Sequence, residues 1–232
     1  MKSKEVSNFT YDDDEASKLS IPFIAAAACG VSVQEALGYF YELESDATLR
    51  SHIRQATIES KDRYVTDPEA HYGPRRISYA IVRAMKPKIV VEAGVEKGLG
   101  SCVIAAALLR NQQEGHAGHL FAVDIDEKTG YLIDSPYDAV CTKLNADILQ
   151  FLKTFNNPID YLVQDIAPWI AKDVLEALQP TASPKCIVTN CYFTEDPFEF
   201  ALKNGWQCQT LFSQPEHSWF IGMFWCILYR GQ

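Results

Sequence analysis

Four carboxylates stand where short apolar runs stop. Glu92 closes "KIVVE", Asp124 closes "HLFAVD", Asp165 closes "IDYLVQD", and Asp147 lies in "LNADILQFL" ahead of a helix-like stretch. In a parallel sheet, acids at strand ends fall on one edge, where open α/β folds bind ligands. Glycines follow the first acid in the order Glu92-x-Gly94-x-x-x-Gly98-x-Gly100. A dinucleotide site wants G-x-G-x-x-G, whose glycines make the turn, admit the pyrophosphate and pack the helix. A carboxylate pointing into that turn is awkward for a pyrophosphate and suits a cation. Asp124 can accept hydrogen bonds from both hydroxyls of a ribose. Asp147 either caps the following helix through its free N–H groups or sets its carboxylate, with the next backbone N–H, near an adenine edge. A tight strand-to-helix turn with no ligand is the plain alternative.

Periodicity outlines the elements that must hold these acids. Runs at 88–93, 119–124, 159–165 and 185–190 read as strands of a parallel sheet covered on both faces. Helices are expected at 99–110, 148–155, 168–178 and 195–204. Near the end, "WQCQTLFS" and "WFIGMFWCILY" read as two strands of an antiparallel hairpin, joined by a loop with Pro215. Segment 125–142 lacks a helical face and reads largely as a loop over the ligand. Residues 1–15 read as a disordered tail, with the Asp12-Asp13-Asp14-Glu15 run solvated. Residues 16–65 read as helical: Ser32 caps a helix with Ala36, Leu37, Phe40 and Tyr41 on one face, and "DATLRSHIRQATIES" forms the next. That layer is too small to bury its face alone, so it should dock on the following domain as a lid or a homodimer surface. "TDPEAHYGPRR" is a turn-rich linker, and Pro74 suits the start of the helix "RRISYAIVRAM".

Composition removes several functions. A chain of 232 residues, 47% apolar, can bury one full α/β core. Its net charge of −9 repels phosphate backbones, which argues against nucleic acid as the main partner. Seven scattered cysteines, with no C-x-x-C pair, read as reduced thiols of a cytoplasmic protein. Cys186 and Cys191 flank a strand and are not expected to bind metal. "IPFIAAAACGVSV" is too short to span a bilayer and follows acids where a signal peptide would be basic, so no membrane partner is expected.

With these acids and glycines, the chain resembles the class I S-adenosylmethionine-dependent methyltransferases over roughly residues 70–230. Glu92-Ala93-Gly94-Val95-Glu96-Lys97-Gly98-Leu99-Gly100 matches that family's acid-x-Gly-x-x-x-Gly-x-Gly signature, and "YGPRRISYAIVRAMKPKIVVEAGVEKGLGS" looks like a branch acting on small molecules. The resemblance implies an α/β, Rossmann-like, doubly wound sheet of seven strands, mostly parallel with a C-terminal antiparallel hairpin. The domain would span 66–232, behind the N-terminal helical layer. It implies S-adenosyl-L-methionine as cofactor. Glu92, Gly94 and Gly98 would meet its methionine part, Asp124 the ribose, and Asp147 with Ile148 the adenine. Glu96, Gly100, Ser101 and Ile125 complete the expected cofactor set, and Asp165 would lie near the transferred methyl. An acidic, partly desolvated pocket favours a sulfonium cation.

The match breaks where many relatives hold a divalent metal. Their Asp-x-Asp-His-like run reads Asp165-Ile166-Ala167-Pro168 here, and their second pair reads Thr189-Asn190. Asp165 and Asn190 alone make a weak Mg²⁺ site, so no metal is expected. The general base is then open. His71 in "EAHYGPRR" is a candidate beside Asp165, with an ordinary loop histidine the alternative; His217 in "QPEHSW" has similar claims on the acceptor side. Tyr72, Trp169 and Asn190 could line the acceptor pocket, with ordinary packing the alternative for the two aromatics. The expected reaction is methyl transfer to a small-molecule acceptor, foremost an oxygen of a sugar or natural product. A catalytically silent cofactor-binding partner is the second reading, and the glycine spacing disfavours an NAD-dependent oxidoreductase.

Overall fold

A computed structural model describes residues 12–61, 71–178, 184–191, 194–216 and 221–230. Seven strands form one sheet: β1 (Ile89–Ala93), β2 (His119–Asp124), β3 (Cys141–Asn145), β4 (Tyr161–Gln164), β5 (Cys186–Asn190), β6 (Gln207–Ser213) and β7 (Met223–Tyr229). Their order is β3-β2-β1-β4-β5-β7-β6. β1 to β5 run parallel, while β7 is antiparallel to both β5 and β6. The doubly wound sheet with a closing hairpin is therefore as expected from the sequence. Strand β3 falls in and just beyond the segment read as loop. It is an edge strand with alternating burial, and "CTKLN" carries no continuous apolar run to betray it.

Side-chain alternation divides the core into two layers. Val90, Leu120, Ala122, Tyr161, Val163 and Val188 face one way, with buried residues of α1 (Glu15–Cys29), α4 (Arg76–Met85) and α5 (Leu99–Gln113). Val91, Ala93, Val123, Leu162 and Ile187 face the other way, towards α6 (Ile148–Thr154), α7 (Pro168–Ala177) and α8 (Asp196–Asn204). Helices α2 (Val33–Glu44) and α3 (Ala47–Glu59) pack on α4 and α5 respectively, and α1 packs on α4, β6 and β7. Ser32 caps α2 by accepting from Glu35 N at 3.1 Å. The inward seam of α2 is Ala36 and Leu43, seven residues apart. Tyr41, expected on the buried face, is 59% exposed.

The acidic run near the N-terminus is not a solvated tail within the described residues. Asp14 caps α1 by accepting from Ser17 N at 2.8 Å, and its own N–H donates to the Gln214 carbonyl at 2.8 Å. Asp13 is buried and accepts from Ser213 Oγ at 2.6 Å. The buried guanidinium of Arg76 gathers Asp12 at 2.7 Å, Asp13 at 3.8 Å and Glu44 at 2.6 Å. These acids are spent on tying the chain start and α2 to α4. Residues 1–11 of that expected tail lie outside the described residues. No helix among the described residues is long and apolar enough to cross a membrane.

Candidate functional site

The β1–α5 turn is built around its acid. Glu92 lies on the α5 face of β1, buried, and accepts a short hydrogen bond from Ser101 Oγ in the first turn of α5. Gly100 leaves room for the Glu92 carboxylate, since a Cβ there would come within 2.3 Å of Glu92 Oε1 and push that side chain aside. Burial raises the Glu92 carboxyl from 4.5 to about 8, against the Ser101 hydrogen bond and the Arg75 charge, which lower it. Gly94 adopts φ +86°, and a side chain there would strike the Asp165 carbonyl and come within 2.7 Å of Ile166. Gly98, at φ +93°, begins α5 without a side-chain cap, and segment 125–136 folds back across it: Gly130 N donates to Glu96 O at 2.6 Å and Leu132 N to Lys97 O at 3.0 Å.

The neighbouring strand ends bring in the other groups. Asp124, last residue of β2, accepts from Val95 N at 2.7 Å, Glu96 N at 3.1 Å and Asp126 N at 2.9 Å. It thus pins the glycine turn, including Glu96 at φ +47°, and a carboxylate still has acceptor capacity beyond three bonds. Asp165 follows β4. Its Oδ1 accepts from Asn190 Nδ2 at 2.8 Å, and its Oδ2 lies 3.5 Å from Arg75 Nη2. Glu92, Gly94, Gly98, Gly100, Ser101, Asp124, Asp165 and Asn190 therefore gather at the carboxyl edge of β1, β2, β4 and β5.

The remaining expected residues divide. Asp147 is exposed and caps α6, accepting from Gln150 N at 3.0 Å; Ile148 beside it is buried. Ile125 is 76% exposed just after Asp124, and Trp169 is exposed on α7. Tyr72 is not an open pocket wall: it is fully buried, with Arg50 and Arg76 stacked over its ring at 5.2 and 5.8 Å. His71 acts on Asp12, whose carboxyl sits below its usual value; burial raises it, but Arg76, Lys18 and His71 outweigh that. His217 lies outside the described residues. Sequence reasoning passed over Arg75, hidden in the linker "YGPRR", and Gln164, whose side chain is buried with no hydrogen-bond partner among the described residues. Asn190 Oδ1 and Trp225 Nε1, on facing residues of β5 and β7, are likewise buried without partners there. Nothing in residue type alone marks either Gln164 or Trp225 as a site residue.

Residues 91–189, from within β1 almost to the end of β5, match the model of a family described as a methyltransferase domain. No curated protein matches the chain. Among solved structures, the O-methyltransferase TomG from Streptomyces achromogenes, in complex with SAM, is 15% identical over 81% of this chain and 91% of its own, with a TM-score of 0.56. The SAH-bound methyltransferase PaMTH1 from Podospora anserina is 13% identical over 80% and 88%, with a TM-score of 0.52. An O-methyltransferase from Bacillus cereus in complex with SAH is 12% identical over 80% and 92%, also at 0.52. Residues 91–189 thus match a methyltransferase-domain model, and the chain shares its fold, with strand order β3-β2-β1-β4-β5-β7-β6, with these solved methyltransferases.

Proposed function

We propose that the chain transfers a methyl group from S-adenosyl-L-methionine to a small-molecule acceptor, foremost an oxygen of a sugar or natural product. The observation that carries this is Glu92: a buried carboxyl at the end of β1, under an uncapped helix start, with further carboxylates at the ends of β2 and β4. A buried acid there suits a cationic ligand group, and the free N–H groups of α5 suit an anionic one. An amino-acid moiety offers both charges. That TomG is named an O-methyltransferase and was solved with SAM, and PaMTH1 with SAH, supports the same reading.

The cofactor supplies a methyl carbon activated by a sulfonium, so the chain's own work is binding, alignment and proton handling. In this reading Glu92 holds the ammonium of the methionine part, Asp124 the ribose, and Ile148 with the backbone ahead of α6 the adenine. Asp165, oriented by Asn190, faces the acceptor and receives its proton through the carboxylate.

Isothermal titration with S-adenosylmethionine, S-adenosylhomocysteine and NAD is the direct test. Both sulfur compounds should bind and NAD should not. Asp124→Ala should weaken both, since it removes the ribose acceptor and loosens the turn. If neither sulfur compound binds, the proposal is wrong. Binding without transfer to any acceptor across a broad panel would favour the silent cofactor-binding partner, a reading motivated by Ala167 and Pro168, which offer no side-chain donors.

A further inference from the structure

The pair Asp165 and Asn190 is what this chain keeps of the metal-ligand set carried by the relatives it resembles. The donor set does not fit a divalent ion. Mg²⁺ asks for near-octahedral oxygen coordination, with most ligands from carboxylates, substrate and water. Asn190 Nδ2 donates to Asp165 Oδ1 at 2.8 Å, so the pair offers one charged carboxylate and one neutral amide. The other carboxylate oxygen faces the Arg75 guanidinium. Ala167 and Pro168 add no donor, and no group of three or more His, Cys, Asp or Glu able to hold a metal exists among the described residues.

Arg75 supplies positive charge at this spot by construction of the fold. It ends the short 3-10 turn Gly73–Arg75, where Pro74 sets the backbone, immediately before α4. Its side chain is only 12% exposed. Its charge acts on carboxyls from three separate elements: Asp165 after β4, Glu92 on β1 and Asp13 ahead of α1. Arg76, next in sequence, points elsewhere and is engaged by Asp12, Asp13 and Glu44. An arginine is suited to the task, since it stays charged at any physiological pH and presents a planar set of donors to carboxylates.

We propose that the Arg75 guanidinium is the resident cation of this site: it steadies the Asp165 carboxylate from the side opposite Asn190 and bars a divalent ion from the Asp165–Asn190 pair. Arg75 acts through Asp165 and is a positioning residue. Its meaning for catalysis rests on the methyl-transfer reading above; its exclusion of metal does not.

The test follows the side-chain amide signal of Asn190 by nuclear magnetic resonance while Mn²⁺ is added. Paramagnetic broadening detects even weak, transient occupancy beside that amide. In the wild-type protein the signal should survive. In Arg75→Ala it should be lost as Mn²⁺ reaches the exposed oxygens, and in Arg75→Lys, which keeps a cation, it should survive again. Arg75→Gln carries the same comparison if circular dichroism shows Arg75→Ala unfolded. Loss of the wild-type signal overturns the proposal, and so does a neutral variant whose signal persists as in the wild type. This arm needs neither cofactor nor acceptor. S-adenosylhomocysteine titrated into the same wild-type sample decides the methyl-transfer reading separately.

Discussion

Under the proposed function, Glu92 would couple cofactor binding to a proton, and the size of that coupling follows from its burial. With its carboxyl pushed up to about 8, the side chain is mostly neutral at pH 7. Ionising it there costs about 1.4 kcal/mol per pH unit below its midpoint. A cationic ammonium arriving beside it favours the ionised form, so one proton should leave the protein as S-adenosylhomocysteine binds. Affinity should therefore rise roughly tenfold between pH 6 and 7, flatten above 8, and fall at still higher pH as the ligand's own ammonium loses its proton. Breaking a buried ion pair costs about 3–5 kcal/mol. Subtracting the ionisation cost at pH 7 leaves about 2–4 kcal/mol for Glu92→Gln, or roughly 30- to 1000-fold weaker binding. Isothermal titration in buffers of different ionisation enthalpy reads both the affinity and the proton released. The ligand-free protein should show the opposite face of the same shift. A raised carboxyl stabilises the fold fully below its unfolded value of 4.5, and that stabilisation is lost as pH rises through about 8. Glu92→Gln should thus come close to the wild type in thermal stability at pH 4 and exceed it at pH 9. A wild-type affinity that stays flat from pH 6 to 8, or a Glu92→Gln protein that binds within about threefold of wild type, would refute the reasoning.

Three further outcomes are expected. Gly94→Ala places a Cβ against the Asp165 carbonyl at a backbone angle that alanine resists; it should lower stability by about 2–4 kcal/mol and abolish cofactor binding, and wild-type melting would contradict this. Arg76→Met strips the counter-charge from Asp12, Asp13 and Glu44; the loss should be about 3–5 kcal/mol, a fall of roughly 10 °C in melting temperature, and a shift of only a degree would show that the network is not what ties α2 to α4. Asp13, raised to about 6 mainly by burial, contributes stability that is full below about 3.8 and is lost as pH rises through 6. Asp13→Asn should therefore melt higher than wild type at pH 8 but not at pH 4, and equal differences at both would count against a buried, reluctant charge.

Much of the acid-and-glycine turn was legible without coordinates because its signals are local. A strand needs its apolar run, and a close approach between backbone and carboxyl needs glycine, so Glu92, Gly94, Gly98 and Gly100 announce themselves in order along the chain. Asp147 shows the limit of such reading: cap and ligand use the same residue type at the same position, and the structure shows the cap. Tyr72 shows another, since an aromatic in a turn-rich linker looks like a pocket wall until two guanidinium groups are found stacked over it. Edge strand β3 stayed hidden because half-buried alternation over five residues is a weak pattern.

Short-range chemistry along the chain thus determined the parallel sheet, its closing hairpin and the acid-and-glycine turn at the end of β1. Tertiary structure decided what charges those acids meet. Arg75 reaches Asp165 across 90 residues of sequence, Asp13 meets Ser213 across 200, and Glu92 owes its raised carboxyl to the layers packed around it. Burial and through-space pairing leave no mark on the residue type itself. The same aspartate that caps a helix, steadies a turn or anchors a chain terminus reads alike until the fold brings its partners to it.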